Sequence, residues 1–86
     1  MSNTGTETIQ EKTIALIAKL CKRSPERIGV HDSLADTLHI DSIQFLELLA
    51  MLEEGFGFEI DVDDLHPDQF RSVLSVIRFV EKKVAP

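Results

Sequence analysis

The sequence has 86 residues, of which 43% are hydrophobic and 28% are charged, so it predicts one small globular domain with a hydrophobic core. Its net charge of −6 is unevenly distributed, because residues 31–70 hold eleven of the fifteen acidic residues and no lysine or arginine. A surface this acidic repels nucleic-acid phosphates and anionic membranes, and it favours a basic protein surface as partner.

Cysteine content and hydropathy indicate the compartment. The single cysteine, Cys21, has no partner for an intramolecular disulfide, which suits a reducing environment. Residues 1–8 are polar and lack the apolar segment of a secretory signal, and no apolar run approaches the ~20 residues that cross a bilayer. We therefore expect a soluble, monomeric, cytoplasmic protein with a single domain over residues 1–86 and a frayed end over residues 1–5.

The first helix is predicted from Glu7 to Cys21, where apolar residues recur with the period of an α-helix. Thr8 and Glu11 have the spacing of a capping box. Thr4 and Glu7 have that spacing too, so both starting points stay open. The stripe that repeats at helical spacing consists of Ile9, Thr13, Leu16, Ile17 and Leu20.

A connection of about twenty residues follows this helix, and Ser24-Pro25-Glu26 begins a short helical turn within it. Loops longer than ~12–15 residues are uncommon in compact domains. Regularly spaced apolar residues predict that this connection is ordered and covers the core. These anchors are Ile28, Leu34, Leu38 and Ile40.

The second helix is predicted from Ser42 to Glu54, with Asp41 as its N-cap and Gln44 as the capping-box partner. Gly55 and Gly57 are both expected to stop it.

A short helix is expected from Asp61 to His66 and a last helix from Ser72 to Lys83. The last helix carries its apolar face on Val73, Val76, Ile77 and Val80. No segment alternates with period two for long, so the sequence predicts an all-α fold, a small four-helix bundle with three main helices, one short helix and a long first loop.

The second helix has more apolar residues than one face requires. Phe45, Leu48, Leu49, Leu52 and Phe56 form a sufficient core stripe. A second stripe is made of Ile43, Leu46, Glu47, Ala50 and Glu54. Either the helix is nearly surrounded by the core, or this second face, ringed by Glu47, Glu53 and Glu54, docks basic partners.

Ser42 begins the second helix without having to cap it, because Asp41 can supply the cap. Its hydroxyl would then be exposed at the positive end of the helix dipole, where backbone N–H groups and the field favour an anion. The position suits a phosphoester on Ser42.

The residues from Leu34 to Phe58 resemble the acyl and peptidyl carrier proteins. Their pattern is a leucine, two residues and Asp-Ser-Leu, followed by Glu-Leu and a Glu-Glu pair before a phenylalanine. The matching residues here are Leu38, Asp41-Ser42-Ile43, Glu47-Leu48, Glu53-Glu54 and Phe56, and the likeness extends over about residues 9–82.

The resemblance implies a four-helix phosphoprotein with 4′-phosphopantetheine attached to Ser42 beside Asp41, transferred from coenzyme A by a phosphopantetheinyl transferase. The arm's thiol would carry an acyl or aminoacyl thioester between loading ligases, synthases or transferases in fatty acid, polyketide or nonribosomal peptide biosynthesis. The chain itself would not be an enzyme. The alternative is an unmodified acidic helical module that only binds other proteins.

Two departures from the family pattern limit what the resemblance implies. His39 stands where the family usually has glycine, so this bend either has ordinary dihedrals or imposes mild strain on the histidine. Gln44 stands where fatty-acid carriers often have an acid. The pattern Leu65-x-Pro67-x-x-Phe70 resembles discrete carriers of secondary metabolism or of aminoacyl groups, which leaves the pathway open.

Three other candidate sites are weaker. His39 could approach a phosphate on Ser42 and stabilise it, but the sequence favours a partly exposed loop histidine without that role. Cys21 is interpreted as a packed helix residue. A calcium loop would need glycine and glutamate at its sixth and twelfth positions, but counting from Asp61 these are His66 and Ser72, so no metal site is predicted.

Overall fold

The computed structural model describes residues 8–85, which form three α-helices and three short 3₁₀ turns and contain no β-strand. Helix α1 spans Ile9–Cys21, α2 spans Ser42–Phe56 and α3 spans Val73–Val84. The 3₁₀ turns are Pro25–Arg27, Val62–Asp64 and Pro67–Phe70. The prediction of an all-α bundle is confirmed. No helix in residues 8–85 is long and apolar enough to cross a membrane.

The start of α1 is a capping box at Thr8. Thr8 Oγ1 accepts a hydrogen bond from the Glu11 amide, and the Thr8 amide donates to Glu11 Oε1, each over 3.0 Å. The Thr8 alternative is therefore confirmed, whereas the Thr4 alternative and the frayed end expected over residues 1–5 lie outside the described residues.

Helix α2 runs two residues beyond the predicted end, because Gly55 does not stop it. A Cβ atom at Gly55 would lie 3.1 Å from Leu16 Cδ1, so this glycine allows α1 to approach closely. That prediction was wrong because the requirement comes from a neighbouring helix, which a local pattern does not reveal. Gly57, at φ +74°, ends the helix in the left-handed conformation as expected.

The long first connection is ordered and hydrogen-bonded to the start of α3. The amides of Val73 and Leu74 donate to loop carbonyls of Asp32 and Val30, over 3.0 and 2.7 Å. The first amides of a helix lack partners within it, so the loop satisfies donors that would otherwise be unpaired. Three of the four predicted anchors, Ile28, Leu34 and Leu38, are buried, and Ile40 is partly buried against the core.

The short fourth helix expected from Asp61 to His66 is only a 3₁₀ turn at Val62–Asp64, and a second turn at Pro67–Phe70 follows it. Proline has no backbone N–H to donate, and it disfavours helical dihedrals in the residue before it. Pro67 therefore prevents the first turn from continuing. The two turns together occupy the place of the fourth helix.

Helix α3 supplies much of the core. Ser72 caps it, with Ser72 Oγ accepting from the Ser75 amide over 3.2 Å. Its buried residues are Val73, Val76, Ile77, Phe79 and Val80. The predicted stripe omitted Phe79, which contacts Phe70 and Phe58 with ring centroids 4.9 and 6.3 Å apart. All five phenylalanines join in one series of ring contacts, Phe45–Phe70–Phe79–Phe58–Phe56.

Candidate functional site

Ser42 is the exposed first residue of α2, and it does not cap the helix. Asp41 supplies the cap instead. Its Oδ1 accepts from the Gln44 amide over 2.8 Å, and its own amide donates to Gln44 Oε1 over 3.3 Å. None of the hydrogen bonds among the described residues uses Ser42 Oγ. The hydroxyl is therefore open to reaction at the positive end of the helix.

The chain reaches Ser42 through a strained residue. His39 has φ +57°, in the left-handed region that favours glycine. Of the two conformations that the sequence leaves open at this bend, the strained one is present. Histidine adopts this region more readily than most residues, at a cost of roughly 1–2 kcal/mol. The next residue is held by a hydrogen bond from the Ile40 amide to the Leu34 carbonyl, over 2.8 Å.

The outward side of α2 combines apolar and acidic side chains. Ile43 is 73% exposed and Leu46 is 63% exposed, whereas Leu48 and Leu52 on the inward side are fully buried. We call the outward side the α2 exposed face, and it consists of Ile43, Leu46, Glu47, Ala50 and Glu54. The second stripe of the sequence therefore lies in solvent.

Glu53 differs from the two other acidic residues that ring the predicted docking face. Its side chain is half-buried, and Glu53 Oε2 accepts a hydrogen bond from the Ile60 amide over 2.7 Å. This contact ties the segment after α2 back to the helix. Glu53 therefore has a structural role that the sequence pattern did not indicate.

Ser42 is one of the residues that line an open groove of about 660 Å³. The groove lies between the first loop, the first turns of α2 and the Pro67–Phe70 turn. Its aromatic lining residues are Phe45 and Phe70, whose rings meet edge to face with centroids 5.1 Å apart. Its charged lining residues are Asp36, Asp41 and Arg71.

Three titrating groups away from the groove have shifted pKa values: Asp64, Lys83 and Cys21. Lys83 Nζ donates to Asp64 Oδ2 over 2.9 Å. This bond lowers the pKa of the Asp64 carboxyl and raises the pKa of the Lys83 ammonium. Burial raises the pKa of the Cys21 thiol despite the nearby charge of Arg23, so this thiol is not activated.

The acidic segment 61–68 does not converge on a cation site. Asp64 pairs with Lys83, and Asp68 pairs with Arg71. Residues 8–85 contain no group of three or more histidine, cysteine, aspartate or glutamate residues placed to hold a metal ion.

The features around Ser42 fit a phosphate-linked prosthetic group. Ser42 is exposed, Asp41 caps the helix in its place, and Ser42 lines an open groove. Among known protein families, the family model described as "phosphopantetheine attachment site" matches residues 11–80 of this chain.

Individual relatives cover nearly the whole chain. The acyl carrier protein of Chlamydia trachomatis serovar D is 34% identical over 76 residues, which are 88% of this chain and 96% of that protein. The acyl carrier protein of Thermosynechococcus vestitus is 36% identical over 77 residues, 90% of this chain and 93% of that one. The D-alanyl carrier protein of Abiotrophia defectiva is 29% identical over 77 residues, 90% and 98% of the two chains. The chain belongs to the acyl carrier protein family, and its prosthetic group is 4′-phosphopantetheine.

Proposed function

We propose that Ser42 carries the 4′-phosphopantetheine group and that this chain presents acyl or aminoacyl cargo on it to partner enzymes. The proposal depends on one observation at the start of α2: Asp41 caps the helix, and Ser42 is left exposed. When bound, the group supplies a terminal thiol at the end of a flexible arm, and cargo is held there as a thioester.

Attachment requires one substitution at phosphorus. The Ser42 oxygen forms a bond to the phosphorus of coenzyme A that bears the pantetheine, and the phosphoanhydride bond to adenosine 3′,5′-bisphosphate breaks. We assign the base that takes the hydroxyl proton to the transferase, and Asp41, the acidic neighbour of Ser42, is engaged in capping the helix. The chain therefore contributes an accessible nucleophile and no catalytic step of its own.

The α2 exposed face suits brief contacts with several enzymes. Ile43 and Leu46 offer a small apolar contact, and Glu47 and Glu54 attract basic side chains around it. Electrostatic attraction speeds association, and a small contact area permits rapid release. We propose that the transferase and the loading enzymes dock here while the chain acts as a monomer in the cytoplasm.

Two of the residues expected to join this docking face have different surroundings. Ala50 is exposed between the acidic residues, and its small side chain allows a partner to approach closely. The carboxylate of Glu53 accepts a hydrogen bond from the Ile60 amide. Its contribution to docking would be its negative charge, which adds to the electrostatic attraction of Glu47 and Glu54 for a basic partner.

The attachment site is tested by intact-mass spectrometry after incubation with coenzyme A and a broad-specificity phosphopantetheinyl transferase. We expect the native chain and a Ser24→Ala variant, which removes another exposed serine, to gain one phosphopantetheinyl group. Ser42→Ala should gain none while keeping its helical circular dichroism. Absence of a gain in the native chain, or an equal gain in Ser42→Ala, overturns the proposal and favours the unmodified interaction module.

Docking is tested by the rate of the same modification. We expect Glu47→Lys and Leu46→Ala to slow it severalfold at low ionic strength, and the effect of Glu47→Lys to shrink as salt screens the charges. The matched control is Glu81→Lys, which makes the same charge change at an exposed position of α3. Equal slowing by Glu81→Lys would mean that net charge matters and that the α2 exposed face does not.

The cargo remains acyl or aminoacyl in this proposal. The acyl carrier proteins and the D-alanyl carrier protein that resemble this chain each align with about nine-tenths of it, so the extent of the likeness does not favour one kind of cargo.

A further inference from the structure

Among the residues that line the groove beside Ser42, Arg71 is the one lysine or arginine. The groove's other charged lining residues, Asp36 and Asp41, are both acidic. Arg71 is also the first lysine or arginine after Arg27 in the sequence, because the acidic residues 31–70 include neither.

A phosphodiester on Ser42 would meet an unfavourable local charge. It carries one negative charge, and the neighbouring Asp41 carboxylate already occupies the N-cap position, where it accepts from the Gln44 amide over 2.8 Å. The helix N-terminus attracts anions, but here part of that attraction is already used by a carboxylate. A cation close to the phosphate would offset the repulsion.

Arg71 has a fixed backbone and a side chain that is only weakly held. Its carbonyl accepts from the Leu34 amide over 3.1 Å, which fixes its backbone beside the first loop. Its side chain is 74% exposed and pairs with Asp68, which is 81% exposed. An exposed pair of this kind contributes only about 0–1 kcal/mol, so the guanidinium exchanges partners at little cost. A guanidinium also offers paired donors that match two phosphate oxygens.

His39 is the other cationic candidate near Ser42, and the structure argues against it. It lies three residues before Ser42 in the sequence, but its side chain is exposed and does not line the groove. Its backbone is held in the left-handed conformation, which gives it a role in shaping the bend. Of these two residues, only Arg71 lines the groove that Ser42 also lines.

We propose that Arg71 releases Asp68 and binds the phosphate oxygens of the phosphopantetheine on Ser42, which holds the first part of the arm along the groove. The inference rests on the proposed attachment at Ser42. Arg71 is then a positioning residue that limits where the arm points, and it takes no part in bond formation.

The first test compares apo and holo protein by NMR of the arginine Nε–Hε groups, with holo protein made by the transferase and verified by mass. The Arg71 signal should move on conversion to the holo form and lose its sensitivity to Asp68→Asn. Arg23, Arg27 and Arg78 do not line the groove, and they serve as internal controls whose signals should stay in place. An Arg71 signal that is the same in both forms would overturn the inference.

The second test observes the phosphate itself. The ³¹P signal of the holo protein should shift in Arg71→Gln, stay unchanged in the matched variant Arg78→Gln, and return part of the way in Arg71→Lys, which restores charge without the paired donors. Equal ³¹P signals in the native chain and Arg71→Gln would overturn the inference. The two proposals fail differently: no mass gain overturns attachment, whereas a mass gain with unchanged Arg71 and ³¹P signals overturns only the role of Arg71.

Discussion

Helices α2 and α3 are both rich in apolar residues, yet they use them differently. Helix α3 buries five of its 12 residues, whereas α2, with 15 residues, fully buries only Leu48 and Leu52. Two large apolar residues of α2, Ile43 and Leu46, are more than 60% exposed. The difference shows that α3 is committed to holding the fold together, and that α2 keeps part of its apolar surface in solvent.

Exposure of this kind has a physical cost. Burying a large aliphatic side chain contributes about 1.5–3 kcal/mol, so Ile43 and Leu46 each forgo much of that stabilisation. Single exposed apolar residues are common on protein surfaces, but here two lie one helical turn apart beside Glu47 and Ser42. The arrangement fits a helix whose outer side contacts other proteins.

The largest expected effect comes from comparing the same substitution, leucine to alanine, on the inward and outward sides of α2. Leu48→Ala should reduce the free energy of unfolding by about 2–5 kcal/mol, because Leu48 is fully buried and its loss leaves a cavity. Leu46→Ala, two residues away and 63% exposed, should change it by less than about 0.5 kcal/mol. Urea unfolding followed by circular dichroism measures both. If Leu46→Ala is as destabilising as Leu48→Ala, the outer side of α2 belongs to the core after all.

The second prediction defines where the α2 exposed face ends. Glu53→Ala should reduce the free energy of unfolding by about 1–2 kcal/mol, because it leaves the partly buried Ile60 amide without its carboxylate acceptor. Glu54→Ala removes the same side chain one residue later, at an exposed position, and should cost less than about 0.5 kcal/mol. The same urea measurement applies. A stability loss for Glu54→Ala equal to that of Glu53→Ala would show that the two acids have the same structural role.

The third prediction concerns the bend that leads into α2. His39→Gly should raise the free energy of unfolding by up to about 1 kcal/mol, because relief of left-handed strain outweighs the greater freedom of glycine in the unfolded chain. His31→Gly is the matched control, since His31 does not have a positive φ. That variant should lose about 0.4–1 kcal/mol. Thermal unfolding of the two variants should therefore shift in opposite directions, and a loss in both would mean that His39 is not strained.

Local chemistry explains which features of α2 and α3 could be predicted from the sequence. The cap at Asp41 and the exposed Ser42 follow from capping rules, which involve only residues a few positions apart. Helical spacing placed Leu46 on a second stripe, but it left open whether that stripe is buried or exposed, and only the folded chain shows that Leu46 is exposed. Gly55 was misjudged because its reason is the approach of Leu16 on another helix. The sequence did not identify Arg71 as a site residue, because only the folded chain brings it to the groove that Ser42 also lines.

The smallest expected effect tests how α3 holds the acidic segment that follows α2. Lys83 on α3 donates to Asp64 over 2.9 Å, and both side chains are about a quarter exposed, at 23% and 27%. The bond lowers the pKa of Asp64 from its ordinary 3.8. A lowered folded-state pKa gives stabilisation that is present above pH 3.8 and is lost as the pH falls through the folded value.

Replacing Asp64 with asparagine removes this dependence. Urea unfolding at a series of pH values should show that Asp64→Asn loses less stability than the native chain below pH 3.8. Asp63→Asn is the matched control, because the carboxylate of Asp63 is not the one that pairs with Lys83, and this variant should follow the native profile. The raised pKa of Lys83 predicts a second, alkaline loss above pH 10.5 that Asp64→Asn also removes. If Asp64→Asn has the native profile at both extremes, the pair does not fasten the acidic segment to α3, and the packing of that segment must come from its apolar contacts instead.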